Sequence, residues 1–255
     1  MEILVCVKQV PDTEEIKIDL DAGTLKDGYP TIINPYDKNA LEAAVQLKEA
    51  VGGKVTVLSL GIDKAKAALK ECVSVGADEA VLVNDPLFEG ADSLATSKIL
   101  AAAINKLGQF DLILCGNQAI DTDAGQVGPQ LAEHLKVAQA TNVAKIEAKD
   151  GAVIVNRELD EGIEVVEVKL PAVCTVLDSI NEPRLATIKT KMAANKAKIA
   201  ELTAADLGIE GSLTATNLLK TFALPKREAG VKIKEATGRE SAQKLVEELA
   251  AAKIV

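Results

Sequence analysis

Between residues 111 and 135 the chain reads DLILCGNQAIDTDAGQVGPQLAEHL: a short apolar run passes straight into a polar loop bearing Gly116, Gly125 and Gly128, then into a helical pattern. Residue types in that order suit the holding of phosphate. The first turn of a helix leaves backbone N–H groups without partners, and the aligned peptide dipoles favour negative charge at that end. Gly116 ends the strand without a side chain, and Gly125 and Gly128 permit close approach of main chain to a nucleotide. The same ingredients also make a plain helix start with no ligand, so the loop alone leaves both readings open.

Other chemistry is short of material. Cys6, Cys72, Cys115 and Cys174 lie among apolar neighbours with no CxxC pair, which fits reduced, buried thiols rather than disulfides or a metal site. His134, the single histidine, falls on a helical pattern between Glu133 and Leu135 and suits a surface or capping position. No Ser/His/Asp or Cys/His arrangement can be assembled, and no catalytic residue is assigned. A net charge of −9 opposes nucleic-acid binding, which relies on Lys and Arg displacing counterions, and 2% aromatic residues with no Trp leave few stacking platforms. No apolar run approaches the roughly 20 residues that cross a bilayer, and ILVCV at 3–7 is too short for a signal-peptide core. A cytoplasmic protein with neither nucleic acid nor membrane as partner is expected.

The elements that must carry the loop are legible in the first half. Runs ILVCV (3–7), VTVLSL (55–60), AVLV (80–83) and LILC (112–115) are short and rich in β-branched residues, and helical periodicity fills the intervals. This alternation predicts βαβ units, hence a doubly wound α/β fold with a mostly parallel sheet covered by helices on both faces. After Ile33, Asn34 suits an N-cap, Pro35 the first helical position, and Asp37 the answering position of a capping box. Ala40, Leu41, Ala44, Val45, Leu47 and Val51 then form an apolar stripe, with Lys38, Glu42, Lys48 and Glu49 facing water. A second helix over about 63–75 buries Ala67, Ala68 and Val75. A third, over about 93–107, presents Leu94, Ile99, Ala103 and Leu107 to the core.

Past residue 140 the pattern changes. Runs at 143–148, 152–158 and 163–170 are parted by Lys149-Asp150-Gly151 and Asp160-Glu161-Gly162, which predicts an antiparallel meander, with AVCTVL (172–177) returning to the sheet. Residues 179–207 are basic and polar, and 208–232 hold no steady period, so this section reads as an extended arm. A last amphipathic helix, about 241–252, exposes Gln243, Lys244 and Glu247 and buries Leu245, Leu249 or their neighbours. An arm without its own core needs a partner surface.

With these segments in place, the blocks VCVKQVPDT (5–13), INPYDKNALEAAVQLKE (33–49), VGADEAVLV (75–83), DLILCGNQAIDTDAGQVGP (111–129), NRELDEGIEVVEVKLPAVCTV (156–176) and NEPRLATIKTKMAANKAKI (181–199) resemble, in order, the β subunit of electron-transfer flavoproteins. One departure from the family's usual signature is Glu161, where Gly or Asp is typical. The resemblance implies an adenine-nucleotide α-hydrolase-like fold over residues 1–200, including a partner-recognition loop at about 176–198, and an arm over 201–255 that packs on an α subunit. It implies AMP in the common form and FAD in the electron-bifurcating form, in one pocket. Carried over by position, that pocket comprises Cys6, Asn34, Pro35, Tyr36, Asp37, Leu60, Gly116, Asn117, Gln118, Ala119, Ile120, Asp121, Thr122, Asp123, Ala124, Gly125, Gln126 and Val127. Here capping is the expected role of Asp37.

KQVPDT, NPYD followed by ALEAA, and FEGADSLATS (88–97) are similar to the bifurcating group, in which Ser93 and Thr96 approach the flavin end. Thr122, Ala124 and Gly125 stand where that group reads Gly, Thr and Ala. That resemblance implies FAD as cofactor, NADH as donor or NAD as acceptor, and transfer through the α-subunit FAD to an acyl-CoA or 2-hydroxyacid type flavin dehydrogenase, with ferredoxin or flavodoxin as low-potential carrier. Ile188, flanked by Lys189 and Lys191, matches the apolar anchor for the dehydrogenase, and Glu158 an acidic residue associated with the mobile flavin domain. The rival classes are a universal-stress-like nucleotide sensor and a stand-alone dehydrogenase. The first would call for a complete P-loop-like site and leave the arm without a purpose; the second lacks a Rossmann fingerprint.

Overall fold

The computed structural model describes residues 1–12, 18–19, 24–25, 28–217, 219 and 229–255. In chain order they form β1 (Glu2–Cys6), β2 (Gln9–Pro11), β3 (Ile18–Asp19), β4 (Thr24–Leu25), β5 (Thr31–Ile33), α1 (Pro35–Val51), β6 (Lys54–Leu60), α2 (Ala65–Ser74), β7 (Glu79–Val83), α3 (Ser93–Leu107) and β8 (Leu112–Gly116). Then follow α4 (Val127–Leu135), β9 (Ala138–Lys149), β10 (Ala152–Leu159), β11 (Gly162–Lys169), β12 (Ala172–Val176), α5 (Ile188–Ala194), β13 (Ala200–Leu202), α6 (Ala204–Leu207) and α7 (Gly238–Ala251).

A nine-stranded sheet runs β11-β10-β9-β12-β8-β1-β6-β7-β13. From β9 to β13 every neighbouring pair is parallel, whereas β10 and β11 add at one edge as antiparallel hairpin strands. The central strands are mostly apolar on both sides because helices cover both faces. Ile3 and Val5 join α1 and α2 in one core, while Leu4 and Cys6 join α3 and α4 in the other. Leu112 and Leu114, against Ile113 and Cys115, split the same way. The small β2–β5 pair brings Lys8 beside the start of α1.

Several expectations are corrected. Val51 ends α1 and is half exposed, Leu94 lies on the open first turn of α3, and Ala67 faces outward because the buried stripe of α2 is Ala65, Ala68, Leu69 and Cys72. Glu42 is buried rather than water-facing, since Arg184 from far along the chain covers it. The apparent arm contributes β13 to the sheet edge beside β7, and Ala204 of α6 enters the second core. No residue of α7 is buried within the chain, and Leu245 and Val246 are 48% and 58% exposed, so the expected burial is absent from this subunit alone. All four cysteines are free and buried.

Candidate functional site

The sheet changes winding direction at β1. Outward from β1 the chain lays down β6 and β7, then returns to place β8 on the other side. In an open parallel sheet the crevice at such a switch, beyond the carboxyl ends of the strands, is where ligands bind. Cys6 and Cys115 stand side by side in register there, and the connections leaving both strands form a rim.

Asn34 and Asp37 build the floor of that rim. Asn34 caps α1 only through its backbone, with Pro35 following; its side chain donates from Nδ2 to Gln118 O at 2.8 Å and accepts at Oδ1 from Ile120 N at 3.2 Å. Asp37 makes no capping box. Its Oδ2 accepts from Lys8 N at 2.7 Å and its Oδ1 from Gly116 N at 3.1 Å, so one buried carboxylate ties the end of β1 to the end of β8. The local pattern N-P-Y-D thus serves long-range partners.

Gly116 is required by this tie. A Cβ there would collide with Asp37 Oδ1 and stand 2.6 Å from Tyr36 Cβ. Beyond it, Asn117 N donates to Val176 O and Asn117 Oδ1 accepts from Thr175 Oγ1, which fixes the base of the loop against β12. Ala119 O accepts from both Thr122 N and Asp123 N, turning the chain, and Asp123 and Gly125 take φ of 48° and 60°. Residues Asp121, Thr122, Asp123, Ala124, Gly125 and Gln126 are exposed, and α4 opens at Val127 with no side-chain cap. Ser93 Oγ donates to Gln126 Oε1 at 2.6 Å, joining the start of α3 to the loop. Thr96 lies one turn further along α3, and Leu60 ends β6 on the other flank.

Burial pushes the Asp37 carboxyl up to about 7, against the lowering pull of the Lys8, Asn34 and Gly116 bonds and the Lys8 charge. The folded chain therefore holds a proton that the unfolded chain has released between about pH 4 and 7, and this group's contribution to stability falls as pH rises through that window. Asp37→Asn removes the titration but sets an NH2 against one of two backbone donors, at about 1–3 kcal/mol. Urea unfolding is expected to show the widest deficit near pH 4, narrowing through neutral pH toward pH 8; a pH-independent gap would exclude Asp37 as the titrating group.

The second cluster lies along α1. Asn39 Nδ2 donates to Asn181 O at 2.8 Å and to Asp178 O at 3.2 Å, and Asn181 Nδ2 returns a bond to Asn39 O. Arg184 then forks across two turns of the helix. Its Nε and Nη2 reach Glu42 at 2.8 and 3.0 Å, and its Nη1 and Nη2 reach Glu49 at 2.6 and 3.0 Å. Burial raises the Glu42 carboxyl, but the Arg184 and Gln46 bonds outweigh it and hold it below the usual carboxylate range. Clamped at 181–184, the segment projects Leu185, Ile188 and Met192, which are 92%, 81% and 65% exposed, alongside exposed Lys189 and Lys191. Glu158 stands at the near end, accepting from Ser179 Oγ at 3.4 Å.

Residues 23–207 match the electron transfer flavoprotein domain. The chain belongs to the electron transfer flavoprotein family. It is 46% identical to the electron transfer flavoprotein subunit beta of Thermoanaerobacterium thermosaccharolyticum, with 98% of both chains covered, and 44% identical over the full length of both to that of Megasphaera elsdenii. It is also 42% identical to the caffeyl-CoA reductase-Etf complex subunit CarD of Acetobacterium woodii and 38% to the acryloyl-CoA reductase electron transfer subunit gamma of Anaerotignum propionicum, each over 98% of both chains.

The residues singled out in this flavoprotein-family chain thus fall into two groups. Cys6, the 34–37 stretch, Leu60, Ser93, Thr96 and residues 116–127 gather around the switch point; Ile188, Lys189 and Lys191 belong to the clamped segment, and Glu158 meets its near end from β10 through Ser179. Sequence reasoning missed Lys8, Asn39, Glu42, Arg184 and Thr175. Their partners are distant in sequence; the one signal that could have found them is that all five fall inside the family-like blocks. His134 sits in the last turn of α4, its Nε2 buried and without a partner among the described residues. Among the described residues no helix is long and apolar enough to cross a membrane.

Proposed function

We propose that this chain is the β subunit of a heterodimeric electron transfer flavoprotein, that it holds FAD at the β1/β8 switch point, and that it serves NADH-linked electron bifurcation or its reverse in the cytoplasm. The observation that carries the reading is the rim itself. Asn34, Asp37 and Thr175 fix the base of an exposed loop whose far end opens an uncapped helix. Such a donor set fits the phosphates of an adenine nucleotide. The Gly116 cradle keeps the strand end free of side chain.

A bound flavin supplies the redox chemistry, taking up hydride and passing electrons. The chain's own residues would bind and orient it: main-chain N–H groups of 124–127, past the turn closed on Ala119 O, would meet the phosphates, Cys6 and Leu60 would border the adenosine, and Ser93 and Thr96 would approach from α3. The 176–198 segment docks a flavin dehydrogenase of acyl-CoA or 2-hydroxyacid type, with Ile188 as anchor. The reductase names of two relatives support that class of partner. Of residues 201–255, the part beyond α6 packs on the α subunit, whose FAD would link this chain to the dehydrogenase, with ferredoxin or flavodoxin as the low-potential carrier. The uncovered apolar residues of α7 favour such a covering.

One feature favours AMP instead. Ala124 offers no hydroxyl where the FAD-binding group reads Thr, which withdraws a contact beyond the adenosine. Denaturing the purified heterodimer and counting released nucleotides decides between them. Two FAD per heterodimer are expected; one FAD with one AMP would overturn the bifurcating assignment, and a single FAD with nothing else would remove the nucleotide site from this chain.

A further inference from the structure

The residues around the switch point hold one cation against three carboxylates. Within 6–8, 34–37, 60, 93, 96 and 116–127, Lys8 is the basic residue, whereas Asp37, Asp121 and Asp123 are acidic. That balance is unusual for a place suited to phosphate. Asp37 is buried and engaged with two backbone N–H groups, so it faces inward. Asp121 does something different. Both of its oxygens take Lys8 Nζ, at 2.9 and 2.7 Å, across the gap between the end of β1 and the β8–α4 loop. Lys8 is held in place for this by its own backbone, which donates to Asp37 and accepts from Asn34 N.

The pair is shallow, with side chains 45% and 22% exposed. An ion pair at that depth contributes about 0–1 kcal/mol, so an incoming phosphate can take Lys8 from Asp121 at little cost. The carboxylate does not leave. It remains beside the loop and repels every further negative charge brought to it.

Resting on the nucleotide reading of the rim, we propose that Lys8 and Asp121 form a charge gate that fixes ligand class: AMP or a dinucleotide diphosphate is accepted, and more highly charged adenine nucleotides such as ATP are turned away. Lys8 answers the first phosphate. Asp121 cancels what would otherwise attract a third, and Asp123, exposed at φ 48° in the same turn, adds to the repulsion.

Equilibrium binding of adenosine, AMP, ADP and ATP to the full chain tests this, with wild type, Asp121→Asn and Lys8→Gln compared at low and high salt. Circular dichroism and thermal midpoints serve as the check on folding. Wild type is expected to bind ATP at least tenfold more weakly than AMP, and less so in high salt, where screening shortens the reach of the carboxylates. Asp121→Asn is expected to strengthen ATP about tenfold while changing adenosine less than twofold. Lys8→Gln is expected to weaken AMP and leave adenosine unchanged. Equal binding of AMP and ATP by wild type, or a shift of all four ligands together in Asp121→Asn, would overturn the gate. Failure of wild type to bind any of them, adenosine included, is a separate result that removes the nucleotide reading itself and the gate with it.

Discussion

Gly116→Ala is expected to destabilise the chain by about 3 kcal/mol and to empty the rim of nucleotide. The added methyl has nowhere to go: Tyr36 Cβ stands 2.6 Å and the Tyr36 carbonyl carbon 2.9 Å away, with Asp37 Oδ1 nearer still. Two of these three neighbours belong to the backbone or the stem of α1, which cannot swing aside as a flexible side-chain tip would. Overpacking a rigid site costs about 1–3 kcal/mol. Displacing Asp37 adds the loss of its bond from Gly116 N, and a bond to a carboxyl that keeps its proton up to about pH 7 contributes about 0.5–1.5 kcal/mol. The urea midpoint and the nucleotide retained after gel filtration check both halves. Retention at wild-type level with lowered stability would separate the tie between β1 and β8 from ligand binding.

Arg184→Ala and Ile188→Ala are expected to part company. Ile188 is 81% exposed, so its truncation leaves stability and flavin content unchanged while slowing electron transfer to the dehydrogenase by about tenfold or more, as expected of an anchor residue at a small interface. Arg184→Ala strands the buried Glu42 carboxylate, which also bonds the Arg184 backbone. Breaking a fully buried pair costs about 3–5 kcal/mol, and the partial exposure of Arg184 brings the expectation to about 2 kcal/mol. Because the Glu42 carboxyl lies below its ordinary range in the folded chain, the stability it contributes is present above the unfolded value and disappears as pH falls. The Arg184→Ala deficit should therefore shrink in acid. Stopped-flow transfer rates with the partner check the functional half. Unaltered rates in Ile188→Ala would remove the docking role from this segment.

The central strands of the sheet were legible because each is a compact, mostly apolar run that both-sided burial demands. β13 was not. Ala200–Leu202 is three residues long with two of them exposed, and nothing in so short a stretch distinguishes an edge strand from a loop. Glu42 illustrates the same gap in a helix: periodicity assigns it to the wet face, and only a guanidinium 142 residues away reverses that. At the rim, the positions of Asn34, Pro35 and Asp37 followed from local capping preferences, but the role of Asp37 did not, since its partners are 29 and 79 residues distant. Lys8 lay inside a family-like block, but its partner Asp121 is 113 residues away and no local pattern pairs them. What local chemistry dictates could be read, and what the sheet brings together could not.

α1 reaches from Asn34 and Asp37 at one end to Glu49 near the other, so a single rod of 17 residues, about 25 Å long, touches both clusters. Its spacing is enforced by a continuous ladder of peptide hydrogen bonds rather than by loops. The helix acts as a ruler: whatever seats itself over Ile188 is registered against whatever lies above Asp37, and a change of separation would require bending a buried helix instead of merely reorienting a tip.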